Sequence, residues 1–70
     1  MLAVPHRTQA LTAREEEVLH HMAEGFTDKE IGRTLDISVY TVRNHVKSVL
    51  RKLNARNRTQ AGAIYHRQNS

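Results

Sequence analysis

The sequence predicts an all-α fold in which four helices share one core. Apolar residues recur at spacings of three and four along most of the chain, which is the pattern of amphipathic helices. Four Ser, Thr or Asn residues stand where they can cap the start of a helix, and no period-two alternation of strand length occurs. Seventy residues suffice for one small domain, and the absence of cysteine removes disulfides and thiolate metal sites as sources of its stability.

The first helix is predicted over about 13–24. Thr12 and Glu15 have the spacing of a capping box at its start, and Gly25 suits the position after its last turn. The acids in its first turn complement the helix dipole, which is a sufficient structural role for them. Its buried side is expected to consist of Val18, Leu19, Met22 and Ala23.

The second helix is short, and the third is the longest in the chain. Thr27 and Glu30 form a second capping box, which predicts a helix over about 28–35. Ser38 then caps a helix predicted over about 39–53. Apolar residues at spacings of four, three and four define its buried side: Val42, Val46, Val49 and Leu53.

The fourth helix has the weakest signal. Asn57 with Gln60 offers a cap, and apolar residues follow it at helical spacing. Gly62 lies within this helix and Gly32 within the second, and each is expected to cost up to about 1 kcal/mol relative to alanine. The fourth helix is therefore expected to be the least rigid element.

These elements place one domain at residues 11–67. Residues 1–10 contain the only proline and show no periodicity, which predicts a flexible leader or linker, and residues 68–70 are predicted to be a disordered tail. No apolar run approaches the roughly 20 residues that span a bilayer, and the start lacks the apolar core of a secretory signal. The cytoplasm is therefore the predicted compartment, with no membrane partner.

Charge is segregated along the chain. Up to Asp36 there are four Lys or Arg residues and seven acids, whereas from Ile37 onward there are seven Lys or Arg residues and no acid. The formal net charge is +4. Positive charge at this concentration attracts a polyanion, which leaves nucleic acid, an anionic membrane surface or an acidic protein as partners.

The second and third helices have the plan of a helix-turn-helix motif, whose second helix enters the major groove of double-stranded DNA. Arg43, Asn44 and Lys47 lie near the start of the third helix, and their side chains can donate to the edges of guanine or adenine. Groups at the starts of the second and third helices suit phosphate, because free backbone N–H groups already favour an anion there. These are Thr27, Lys29, Ser38, Tyr40 and Thr41, and Arg51 adds a further cation on the polar side of the third helix.

The segment from Leu11 to Ala61 resembles the LuxR-type (GerE, NarL/FixJ) helix-turn-helix domain. The resemblance rests on the opening "LTAREEEVL", on "TDKEI", on "ISVYTVRNHV" and on the ending "KLNARNRTQA", which occur in the family's order. It implies a four-helix DNA-binding domain of bacterial transcription regulators such as response regulators. By position it implies base contacts for Arg43, Asn44 and Lys47, and it adds His45 and Arg58 to the phosphate contacts.

The resemblance also implies that the fourth helix mediates dimerisation on inverted half-sites, with RNA polymerase among the expected partners. From the residues alone, two interpretations of this helix stay open. Its apolar residues can all cover the core, or its small residues can form a flat patch for a second copy. We expect a weak homodimer that DNA strengthens, with contacts from Thr59, Ala63 and Tyr65.

Three other functions are alternatives to regulation through DNA. A sigma-factor region-4-like promoter-binding module shares several of the motifs, although the fourth helix fits the LuxR-type domain better. A protein-interaction module without specific DNA binding is the second alternative. An enzyme is disfavoured because no nucleophile–base pair or glycine-rich phosphate loop occurs. The five histidines lack metal-ligand spacing, so no metal site is expected. No cofactor or small-molecule ligand is expected either. Both a stand-alone regulator and a fragment that lacks a receiver or sensory domain are compatible with the chain.

Overall fold

A computed structural model describes residues 10–69, and this part of the chain contains four helices and no strand. The helices are α1 (Ala13–Ala23), α2 (Asp28–Leu35), α3 (Val39–Leu53) and α4 (Arg58–Gln68). The predicted fold class is thus confirmed. The predicted leader lies outside the described residues except for Ala10, which is exposed and precedes α1.

Both predicted capping boxes are present at the starts of α1 and α2. The Thr12 hydroxyl accepts a 3.1 Å hydrogen bond from the Glu15 backbone N–H, and the Glu15 carboxylate accepts one of 2.9 Å from the Thr12 N–H. Thr27 and Glu30 repeat the pattern at 3.1 and 2.8 Å. Each box satisfies two of the N–H groups that have no partner within the helix, so both starts are fixed by short-range interactions.

The turn between α2 and α3 lies tightly against the last part of α2. It passes through Asp36, whose φ of 59° is in the left-handed region, and Ile37 donates its N–H to the Gly32 carbonyl. A Cβ on Gly32 would lie 2.8 Å from the Ile37 carbonyl oxygen, which is closer than carbon and oxygen normally approach. Gly32 therefore does more than loosen α2, because its missing side chain lets this turn pack closely.

The core lies where α1 packs against α3 and α4, while α2 packs mainly on α3. The predicted apolar sides of α1 and α3 are buried, and Leu53 and Ala23 are partly exposed at the edges. The fully or nearly fully buried apolar residues are Val18, Leu19, Met22, Ile31, Val42, Val46, Val49 and Ala61. Full burial of a Val, Leu, Ile or Met side chain contributes about 1.5–3 kcal/mol, so this set is a major source of the stability of the domain.

Helix α4 begins as predicted and continues further than predicted. The Asn57 side chain accepts a 2.8 Å hydrogen bond from the Gln60 N–H and so caps the helix. The prediction of a disordered tail from residue 68 is corrected for Gln68, which is helical, and for Asn69, which caps the C-terminal end. Asn69 donates to the Tyr65 carbonyl from both its backbone N–H and its side-chain amide, and these bonds extend the helix.

Candidate nucleic-acid interface

One side of α3 carries a row of cations. Arg43, Lys47 and Arg51 follow one another at intervals of four residues, so they line one side of the helix, and all three are exposed. We call these three residues the α3 basic face. It projects from the domain because Val42, Val46 and Val49 hold the other side of α3 in the core.

The three predicted base-contact residues are close together near the start of α3. Arg43, Asn44 and Lys47 are exposed, and the Arg43 side chain retains 68% of its accessible surface. No described residue holds the Asn44 or Lys47 side chain by a hydrogen bond or ion pair. Their amide and ammonium groups can therefore turn toward a ligand without breaking a hydrogen bond or ion pair.

The predicted phosphate-contact residues at the helix starts are accessible. Thr27 and Ser38 are the exposed N-caps of α2 and α3, and Lys29 is exposed on the first turn of α2. Tyr40, on the first turn of α3, is 74% exposed, the one large hydrophobic residue so exposed in the described part of the chain. The half-buried Thr41 hydroxyl accepts a 3.0 Å hydrogen bond from the Ser38 hydroxyl.

His45 lies on a different side of α3 from the basic face. It is half-buried and precedes Ser48 by three residues and Lys52 by seven, so these three side chains share one side of the helix. Ser48 and Lys52 are turned toward α1 by hydrogen bonds of 2.6 and 2.8 Å to the Glu15 carboxylate. The cation of Lys52 is thus bound within the domain and does not extend the α3 basic face.

Glu15 is the buried charge that joins α1 to α3. Its side chain is only 8% exposed, and that of Lys52 is 16% exposed. Burial by itself raises the pKa of Glu15, but hydrogen bonds from Lys52, Ser48 and the Thr12 N–H, together with the Lys52 charge, lower it from 4.5 to about 2. The sequence predicted the cap made by Glu15 but missed its partners on α3, which lie 33 and 37 residues away.

Asp28 connects three helices. Its carboxylate accepts a hydrogen bond from Nη1 of Arg58, and its Oδ2 lies 3.6 Å from Nε of Arg43. Arg58 also donates from Nη2 to the Phe26 carbonyl at 2.9 Å, so the first residue of α4 is bound to the start of α2. Arg58, a predicted phosphate contact, therefore keeps only 37% of its side-chain surface accessible. Asp28 is a residue of this surface that the sequence did not indicate.

The three predicted dimer contacts are placed differently on α4. Thr59 and Ala63 are exposed and four residues apart, so they share the outer side of the helix. Tyr65 is half-buried, and its hydroxyl forms a 2.8 Å hydrogen bond with Nδ1 of His20 on α1. The structure thus brings Thr59 and Ala63 together and turns Tyr65 toward the neighbouring helix.

Residues 9–64 match the family described as "Bacterial regulatory proteins, luxR family". The chain belongs to this family. Among its LuxR-type relatives is the transcriptional regulatory protein LiaR of Bacillus subtilis, 48% identical over 65 residues, which are 93% of this chain and 30% of LiaR. The nitrate/nitrite response regulator protein NarP of Escherichia coli is 45% identical over 58 residues, 83% of this chain and 27% of NarP.

A solved structure shares the architecture of this LuxR-type chain. It is the response regulator ChrA of a heme-sensing two-component system, with a TM-score of 0.81 and 34% identity over 91% of this chain. The match covers 32% of the ChrA chain. This LuxR-type chain therefore spans about a third or less of the length of the regulators it resembles.

Residues 10–69 offer neither a metal site nor a membrane span. No group of three or more His, Cys, Asp or Glu side chains is arranged there to hold a metal ion. None of the four helices is long and apolar enough to cross a bilayer.

Proposed function

We propose that this domain binds double-stranded DNA of a particular sequence, with α3 in the major groove, and regulates transcription by doing so. The observation that carries the proposal is the α3 basic face, which projects from a helix whose other side is held in the core of a LuxR-type domain. A major groove about 12 Å wide admits one such helix. A DNA target in a bacterial cell also assigns the protein to the cytoplasm.

The exposed polar groups fall into two chemical classes in this proposal. Arg43, Asn44 and Lys47 contact base edges, because their donors suit guanine O6 and N7 or adenine N6 and N7. A second set contacts phosphates and fixes the position of the domain on the duplex. It consists of Thr27, Lys29, Ser38, Tyr40, Thr41, His45, Arg51 and Arg58.

Two copies bind an inverted repeat in this proposal, and α4 supplies the contact between them. Thr59 and Ala63 form the small, exposed side of α4, whereas Tyr65 is half-buried on another side of the helix, where its hydroxyl is hydrogen-bonded to His20 of α1. Two-fold symmetry of the protein then matches two-fold symmetry of the operator. LiaR is a transcriptional regulatory protein and NarP is a response regulator protein. RNA polymerase is the further partner of this proposal, for control at a promoter.

Selection of bound duplexes from a random pool, followed by fluorescence anisotropy over a salt series, tests the proposal. We expect one enriched sequence. We also expect affinity to fall as salt rises, because Lys and Arg side chains that bind phosphates release counterions from DNA.

Lys47 and Lys29 are both exposed, so their alanine variants form a matched pair. Lys47→Ala should lose about 1–3 kcal/mol of discrimination at one base pair, and Arg43→Ala should do so at another.

Lys29→Ala removes the same charge at a predicted phosphate contact. It should weaken binding to all duplexes equally and reduce the slope of log K against log salt by about one. Equal losses on every sequence for Lys47→Ala would move Lys47 to the phosphate contacts. If no sequence is enriched, the protein-interaction module is favoured, and a requirement for RNA polymerase core would favour the sigma-like module.

A further inference from the structure

Asp28 is placed to influence which DNA sequence the domain binds. Within residues 10–69 it is the only acid that forms an ion pair with a member of the α3 basic face. It is the first residue of α2, and its side chain is 25% exposed. A carboxylate at this position is unexpected on a surface that faces phosphates, because it repels them.

The contact with Arg43 uses only part of the guanidinium group. Oδ2 of Asp28 lies 3.6 Å from Nε of Arg43, and no described residue holds the two terminal nitrogens of Arg43. A guanidinium has five donors in a planar fork, and a pair of its nitrogens matches O6 and N7 of guanine. Arg43 can therefore keep its contact with Asp28 while its terminal nitrogens bind a base.

Asp28 is itself fixed by Arg58. Oδ1 accepts from Nη1 of Arg58, whose other terminal nitrogen donates to the Phe26 carbonyl at 2.9 Å. The carboxylate thus has one oxygen bound to α4 and the other near α3. Because its position is set before DNA arrives, Arg43 loses less conformational freedom on binding than an unsupported arginine would lose.

We propose that Asp28 is a positioning residue that directs Arg43 toward a guanine of the operator and reduces binding to unrelated DNA through its own charge. This inference rests on the proposed function, since it assigns a role within the same DNA-binding surface. It differs from a purely structural role for the Asp28–Arg58 pair, which would not affect one base pair more than another.

The test is Asp28→Asn, measured on the selected operator, on operators with each base pair replaced in turn, and on an unrelated duplex. The introduced amide oxygen can still accept from Arg58, so we expect the variant to fold, and a thermal melt checks this. Discrimination at one G·C pair, the same pair that Arg43→Ala affects, should fall by about fivefold or more. Affinity for the unrelated duplex should rise, because one negative charge has been removed.

Two further measurements isolate the positioning role. In the Arg43→Ala background, Asp28→Asn should leave base discrimination unchanged while affinity for unrelated DNA still rises. Asp28→Glu retains the charge but displaces the carboxylate, so it should lose the same discrimination without any gain on unrelated DNA. This second variant also serves if Asp28→Asn does not fold.

Retained discrimination in either folded variant overturns the role of Asp28, as does an effect at a base pair other than the one that depends on Arg43. These outcomes differ from failure of the proposed function. In that case the parent chain itself would not distinguish its selected operator from unrelated DNA.

Discussion

At the scale of single residues, Glu15 combines a local and a long-range role. Its carboxylate accepts from the N-cap Thr12 and also from Ser48 and Lys52 on α3. The first contact spans three residues and could be predicted from the spacing alone. The other two depend on how α1 and α3 pack, which no local pattern specifies, so they could not be predicted from the sequence.

The pKa of Glu15 predicts how stability depends on pH. Because the folded state lowers it from 4.5 to about 2, the stabilisation is complete above pH 4.5 and is lost as the pH falls toward 2. At about 1.4 kcal/mol per pKa unit, this contribution is on the order of 3 kcal/mol. Urea unfolding at a series of pH values from 7 to 2.5 should therefore show a steep fall in the free energy of unfolding below pH 4.5.

Glu15→Gln should remove most of that fall and lower the free energy of unfolding at pH 7 by about 2–3 kcal/mol, because Lys52 loses its buried partner. Glu16→Gln is the matched control, since Glu16 is the adjacent residue and is exposed. An acid dependence in Glu15→Gln as steep as in the parent chain would show that other carboxylates cause it.

At the scale of helices and turns, Gly25 ends α1 for a reason that lies in the backbone. Its φ is +90°, and a Cβ there would have no atom within 4 Å. Gly25→Ala should therefore cost about 1–2 kcal/mol through backbone strain alone, without any clash. Chemical denaturation measures this loss as a shift of the unfolding midpoint at constant slope.

Gly62→Ala is the matched glycine variant with the opposite expected sign. Gly62 is within α4, and its Cβ would lie 3.5 Å from Cα of Ala23, which is an ordinary contact distance. Removing glycine from a helix interior should then stabilise the domain by up to about 1 kcal/mol. A loss of stability in Gly62→Ala would show that α1 and α4 cannot accommodate even one methyl group.

The sequence predicted helices more completely than it predicted the site. Caps and apolar spacings are local, and the predicted starts of all four helices were confirmed. The surroundings of Arg58 were not predictable, because its partner Asp28 is 30 residues away. Charge counts along the chain also overstate the exposed positive charge, since Lys52 and Arg58 are bound to acids from the other half of the molecule.

At the scale of the whole molecule, the proposed dimer predicts cooperative binding to an inverted repeat. Ala63→Gln places a larger neutral side chain on the exposed side of α4, so it should obstruct the contact between copies without changing the charge that faces DNA. Affinity for the inverted repeat should fall at least about tenfold, while affinity for a single half-site stays the same. Fluorescence anisotropy on the two duplexes gives both values.

Ala13→Gln is the control for this experiment, because it makes the same substitution at an exposed position on the first turn of α1. It should leave both affinities unchanged. If Ala63→Gln also binds the inverted repeat with full cooperativity, the contact between copies lies elsewhere, or each half-site is bound independently.

The division of α3 into a buried valine side and an exposed polar side also bears on how new operator preferences can evolve. Substitutions at Asn44 and Lys47 would change the groups offered to DNA without breaking a hydrogen bond or ion pair within the domain, so duplicated copies of this protein can diverge there at little cost to folding. Arg43 differs, because it shares a carboxylate with Arg58. In a lineage that replaces Arg43, we expect position 28 to change with it.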